Sequence, residues 1–127
     1  MHNLKELKIW NKAINLATQV YKATENFPSE EKYALTSQIR RSAVSIASNI
    51  SEGAGRNSSK EFIYFLGVAN GSSYELQTQL IISTQLDLID TSKVDELLSQ
   101  LIEIQKMNYT FQKSLKYKKT ESEISNV

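Results

Sequence analysis

"NISEGAGRNSSKEF", residues 49–62, decides what kind of fold this chain adopts. Two glycines, an arginine and three serines lie here between two apolar stretches. A phosphate-cradling loop would require a strand before it and an α/β architecture. The spacing fails that reading: there is no third glycine, no Gly-Lys-Ser/Thr and no β pattern upstream. As a corner between helices the same residues fit well. Gly53 and Gly55 stop one helix, and Ser58 or Ser59 caps the next. The corner makes the fold all-α.

Upstream of the corner, Leu35, Ile39, Ala43, Ile46 and Ile50 recur at helical steps and form the core stripe of a second helix. "NFPSEE" separates it from a first. Pro28 disfavours helical backbone at Phe27, and Ser29 before Glu30 and Glu31 predicts an N-cap with an acidic first turn. The first helix is predicted over residues 4–25, on a stripe of Leu4, Leu7, Trp10, Ile14, Ala17 and Tyr21 with Val20 beside it. Downstream, Phe62, Leu66, Ala69, Ser73, Leu76 and Leu80 give the third helix its core face. Asp90, Thr91 or Ser92 caps a fourth, with heptads at Leu97, Leu101, Ile104, Asn108, Phe111 and Leu115. Short connections make neighbours antiparallel, so the predicted architecture is an up-down-up-down four-helix bundle. One domain is expected over residues 1–118, followed by a polar, disordered tail at 119–127.

Composition agrees. The 127 residues are 40% hydrophobic and 23% charged, with one proline and four glycines, which favours long helices over a turn-rich β fold. There is no cysteine, hence no disulfide or thiolate chemistry. The opening "MHNLKELKIWNKA" carries three lysines and no apolar signal core, and no run approaches a membrane span. A cytoplasmic protein without membrane contact is expected. The net charge of +1 restricts any nucleic-acid role to local clusters or to a multiplied, ring-like surface.

Enzymatic constellations are scarce. His2 is the sole histidine, at a terminus expected to be mobile and inert. Glu52, Glu61 and Glu75 are isolated rather than paired. No metal site, cofactor or catalytic residue is predicted.

Helix three is unusual in another way. From Phe62 to Leu86, 25 residues carry one charge, Glu75. Steps of 100° place Tyr64, Gly67, Gly71, Tyr74, Glu75 and Ile82 away from its core stripe. A monomer's outer helix face normally bears lysines and glutamates, so this face is read as a subunit interface. The competing reading buries it within its own bundle. Helix two adds a small outer face of Ser37, Val44, Ser45 and Ser48 with Arg41 as its lone long charge. Reflecting the hairpin brings Arg41 near Glu75, as a pair within or between subunits or as two solvated charges.

Arg56 and Lys60 flank the amides at the start of helix three, a weak anion site by dipole and charge. Lys113, Lys116, Lys118 and Lys119 cluster at the end of helix four. Up-down topology brings both groups to one end with Lys5 and Lys8. A polyanion site there competes with plain helix capping, and Glu6, Glu52 and Glu61 dilute it.

The elements "FP-x-x-E", "L-x-x-Q-I-R-R-S-A-x-S-I-x-x-N-I-x-E-G", "E-F-x-x-F-L" and "A-x-G-S-x-x-E" run in order through residues 27–75. In this combination the chain resembles the 23S rRNA intervening-sequence proteins, with Ser51 where that family usually has alanine. The resemblance implies a four-helix bundle assembled as a ring, a homopentamer. It also implies kinship with accessory proteins of diversity-generating retroelements, which bind nucleic acid and a reverse transcriptase. The matching motif positions are Arg40, Arg41, Asn49, Glu52, Gly53, Glu61, Gly71, Ser72 and Glu75, many of them structural in this reading. Two expectations follow. The chain is a ring-forming bundle that holds RNA or DNA backbone through Arg41, Arg56, Lys60, Lys116 and Lys119, or it is a protein scaffold without nucleic acid.

Overall fold

The computed structural model describes residues 2–31 and 34–125, with side chains described through residue 117. Four helices carry the fold: α1 (Lys8–Ala23), α2 (Leu35–Ala54), α3 (Ser59–Gln85) and α4 (Thr91–Ser125). No strand occurs among the described residues. Each helix packs against its neighbours in sequence, and α4 closes back onto α1. Paired contacts show antiparallel packing of α2 with α3, α3 with α4 and α4 with α1. Gly53 lies against Phe62, Asn108 reaches Leu66 and Lys12 pairs with Glu103, each in register with a second bond further along. Ser45 meets Ser72 between α2 and α3, Gln105 meets Ser73 and Gln77 between α4 and α3, and Gln100 meets Gln19 between α4 and α1. The chain is an all-α four-helix bundle. The tail at 119–127 and Lys119 lie outside the described side chains.

The stripes of α2, α3 and α4 point inward as expected. Ile39, Ala43, Ile46 and Ile50 meet Phe62, Leu66, Ala69, Leu76 and Leu80, together with Leu97, Leu101, Ile104 and Leu115. The stripe of α1 does not. Ile9, Ala13, Leu16 and Val20 form its core face, while Ile14 and Tyr21 stand 42% and 44% exposed. Two apolar stripes run side by side on this helix. The one with alanine at its centre turns inward, and Ala13 joins Ala43 and Ala69 among the small residues of the core. The bulkier stripe, with Trp10 half-buried, stays at the rim.

The start of α1 also differs. Leu4–Glu6 form a separate 3-10 turn, Leu7 is extended, and Asn11 Nδ2 donates to the Lys5 and Leu7 carbonyls. His2 is not loose: its ring meets Phe62 edge-on at 5.0 Å and Phe111 at 6.3 Å. Ser29 opens a 3-10 turn at Ser29–Glu31 rather than capping α2, which begins at Leu35 without a side-chain cap.

Gly53 lies inside α2 and Gly55 is its C-cap, both without positive φ. Their roles at the corner therefore differ from a simple stop. A β-carbon on Gly53 would sit 2.8 Å from Phe62 Cδ1 and 2.9 Å from Phe65 Cβ, so its bareness lets α3 close onto α2. Ser58 then caps α3, accepting from the Glu61 amide at 3.2 Å while its hydroxyl donates to the Glu61 carboxylate. At the other end of α3 the sequence holds no glycine. Asp87 takes the left-handed conformation at φ 58°, with bonds from its amide to Thr84 and from Leu88 to Ser83. This is a Schellman stop with aspartate in the usual glycine place.

Candidate assembly and polyanion surfaces

Among the described residues, nothing covers the outer half of α3. Tyr64 is 65% exposed and Tyr74 59%; Gly67, Val68, Gly71, Ile81 and Ile82 are exposed between and beyond them. A β-carbon at Gly67 or Gly71 would meet nothing within 4 Å. These two glycines therefore serve no packing inside the chain, unlike Gly53. Glu75 is exposed on the same face.

Arg41 points outward from α2, and no ion pair joins it to Glu75 among the described residues. Arg40 has another task. Its Nε donates to Thr24 Oγ1 at 3.0 Å, its guanidinium donates to the Tyr21 carbonyl, and it lies 4.6 Å over the Tyr21 ring. A cation thereby serves the carbonyl end of α1. Asn49 bonds back to Ser45, which in turn holds Ser72 of α3 at 2.8 Å. Arg40, Asn49 and Gly53 thus each join helices or steady a contact between them. Nothing in the pattern of α1 announces Thr24 as the partner of Arg40. The signal is the arginine pair itself, one residue of which has to lean toward α1.

The corner holds an open polar cleft of about 470 Å³, lined by Ser51, Glu52, Gly55, Arg56, Asn57 and Glu61. It is a poor anion cradle. Arg56 is bound to Glu52 at 2.6 Å, one turn back along the chain, and lies against the Phe65 ring at 4.9 Å. Two carboxylates thus face one committed cation. Lys60 is exposed and has no ion pair among the described residues.

The convergence of ends is real geometry. The contacts of His2 with Phe62 and Phe111 tie the amino terminus, the start of α3 and late α4 together. A mostly apolar groove of about 480 Å³ runs beside them, lined by Leu7, Ile9, Met107 and Phe111 among others, with Lys8 and Lys106 at its edge. Lys113 lies over the Tyr109 ring at 5.5 Å. Lys116 is exposed but not a free charge. Among the described residues, no group of three or more His, Asp or Glu side chains is placed to hold a metal ion. No described helix is long and apolar enough to cross a membrane.

The fold and these surfaces define a helical bundle whose distinctive features lie on its outside rather than in a closed pocket. Residues 5–110 match the family model for the 23S rRNA-intervening sequence protein, and the chain belongs to that family. Among solved structures it is similar to a protein of unknown function from the S23 ribosomal protein family of Bacteroides thetaiotaomicron. The two share 24% identity and a TM-score of 0.75 over 83% of this chain and 98% of that one. At that identity the likeness speaks for the fold. No curated protein matches the chain. Neither description names a reaction.

Proposed function

We propose that this protein is a non-enzymatic, self-assembling bundle whose copies meet through the outer face of α3. One observation carries the reading: two exposed tyrosines flank two glycines that no internal packing requires. Contiguous exposed apolar surface of this kind marks contact sites, and bare glycines admit close backbone approach. A closed ring suits the reading, and the family resemblance implies five copies.

Light scattering at low micromolar concentration should return the mass of several chains; a monomer there ends the proposal. Gly67→Gln and Gly71→Gln give a sharper result. Glutamine forms helix better than glycine by about 0.5 kcal/mol, and neither site is crowded within the chain. Each change should therefore strengthen α3 yet shift the assembly toward monomers. Unchanged assembly in the double variant would count against the α3 face.

A second reading, binding of RNA or DNA backbone, draws on the convergence of Lys5, Lys8, Lys60 and the α4 lysines near the aromatic tie of both ends. With Arg56 committed to Glu52, Lys60 carries most of the corner's available charge. Fluorescence anisotropy with labelled single-stranded RNA at about 50 mM salt tests it. Lys8→Glu with Lys60→Glu should weaken binding to all sequences and flatten the salt dependence, by about one unit of slope for each lysine that meets a phosphate. No binding by the unaltered protein leaves assembly as the sole function proposed.

A further inference from the structure

Assembly through α3 gives no role to the apolar groove between the start of α1 and the second half of α4. We propose that this groove binds a free fatty acid, with its acyl chain on Met107 and Phe111 and its carboxylate between Lys8 and Lys106. The site is independent of self-assembly, and either stands if the other fails.

The groove is shaped by a break in α1. The hydrophobic period runs from Leu4, yet the α-helix begins only at Lys8, and Leu7 is extended. Asn11 Nδ2 fixes that break, donating to the Lys5 carbonyl at 2.9 Å and to the Leu7 carbonyl at 3.1 Å. Leu7 thereby becomes a held wall, with buried Ile9 and half-buried Met107 and Phe111 beside it. The volume of about 480 Å³ falls among small-molecule sites, which span about 300–1,000 Å³ and are mostly apolar. From Lys106 to Ser114 the groove follows α4 for about 12 Å, which suits an extended acyl chain of medium length.

Charge fixes the other half of the ligand. The Lys12–Glu103 ion pair, 2.9 Å long, sets the level of α1 against α4. One antiparallel turn from it brings Lys8 level with Met107, beside Lys106. Two cations on different helices thus line the same end of the groove. No ion pair joins either to another group among the described residues. Glu103, one turn before Lys106, is held by Lys12, and Glu6 is exposed in the 3-10 turn outside the groove lining. Like charges at the end of an apolar trough repel one another. One carboxylate between them removes that repulsion and forms charge-assisted bonds. A nucleic-acid backbone brings the charge but leaves Met107 and Phe111 in water. A wholly apolar ligand leaves both lysines unpaired. An anion with an alkyl tail satisfies both parts.

Met107 is itself the probe. The chain has two methionines, Met1 and Met107, so labelling methionine methyl groups with carbon-13 gives a readable spectrum, and Met107→Leu assigns the groove signal by removing it. Sodium decanoate below its micelle concentration should shift that signal to saturation. 1-Decanol, with the same chain and no charge, should bind about tenfold more weakly, and butyrate should not saturate. Lys8→Gln with Lys106→Gln should bring decanoate down to the affinity of decanol. Thr110→Trp fills the groove from an exposed rim position and should abolish saturation. No saturable shift with decanoate, or equal affinity for decanol, overturns the assignment. So does a decanoate shift that survives Thr110→Trp. Anionic phosphatidylglycerol vesicles that move the signal where decanoate does not would give the groove to a membrane surface instead. A Met107 signal that moves on dilution, with a lower mass in light scattering once decanoate is added, would give it to a second copy. Should the lysine variant lose its helix content, the comparison of decanoate with decanol on the unaltered protein decides.

Discussion

Phe62→Ala should lower stability by about 3–5 kcal/mol, the range for removing a fully buried aromatic side chain. That is a large share of the roughly 5–15 kcal/mol available to a domain of this kind. Phe62 is buried in the first turn of α3, where three separate packing demands meet. Its ring fills the space that Gly53 of α2 leaves open, stacks edge-on with Phe111 of α4 at 5.1 Å, and receives His2 from the amino terminus. No single neighbour can relax into the vacancy without leaving another contact. Urea denaturation followed by circular dichroism measures the cost. Phe65→Ala is the control, since Phe65 is half-buried and touches Tyr64 and Arg56 at the surface. This second truncation should cost at least about 1 kcal/mol less. Equal costs would mean that the corner does not depend on this junction.

The same residues show what is legible in the amino-acid order alone. Helix existence, the Ser58 cap and the core faces of α2, α3 and α4 follow from period and capping chemistry, which are local properties. The inward face of α1 is not legible in that way. Its two stripes have the same period and are both apolar, Ile9, Ala13, Leu16 and Val20 on one and Trp10, Ile14, Ala17 and Tyr21, two of them with large amphipathic rings, on the other. Which stripe turns inward depends on Ala43 and Ala69 across the core, a property of three helices at once. Gly53 is visible as a special position, but its reason is not. A helix stop and a close approach look alike in sequence, and only the nearness of Phe62 and Phe65 separates them.

The candidate surfaces divide along the same line. That α3 has an outer face nearly free of charge can be counted along the chain, and Tyr64, Gly67, Gly71 and Tyr74 lie exposed there as the 100° steps place them. Arg56 cannot be judged so easily. An arginine four residues after a glutamate is free or committed according to whether the helix continues between them, and α2 does continue past Gly53 to Ala54. That continuation puts Glu52 beneath Arg56 and weakens the corner as an anion site. Helix geometry, rather than residue type, sets how much unpaired charge the corner offers.

Asn108→Asp should cost about 3–5 kcal/mol at neutral pH, the range for leaving a charge uncompensated in a core. Asn108 sits in the heptad stripe of α4 that is otherwise leucine, isoleucine and phenylalanine, and it is almost fully buried. Its Nδ2 donates to the Leu66 carbonyl of α3 at 2.9 Å, and its Oδ1 accepts from Gln112 at 2.6 Å. A carboxylate keeps the acceptor and loses the donor, so it faces the Leu66 oxygen with negative charge in a medium that solvates it poorly. Protonation relieves that conflict. The folded chain then holds the proton more tightly than the unfolded chain, whose aspartate titrates near about 4. Stability should therefore rise as pH falls toward about 4 and decline as it returns to neutrality, opposite to ordinary acid unfolding. Asn108→Leu separates stability from register. Leucine removes the buried polar group together with its need for partners, so the change in stability should stay within about 1 kcal/mol. What it removes is the polar mark that tells the Asn108 layer from the apolar layers of Ile104 and Phe111 on either side. Amide hydrogen exchange should then show weaker protection in the second half of α4 at similar global stability. Full protection in Asn108→Leu would show that the apolar layers alone fix the alignment of α4. An Asn108→Asp chain as stable at neutral pH as the unaltered protein would show that the site is open to water.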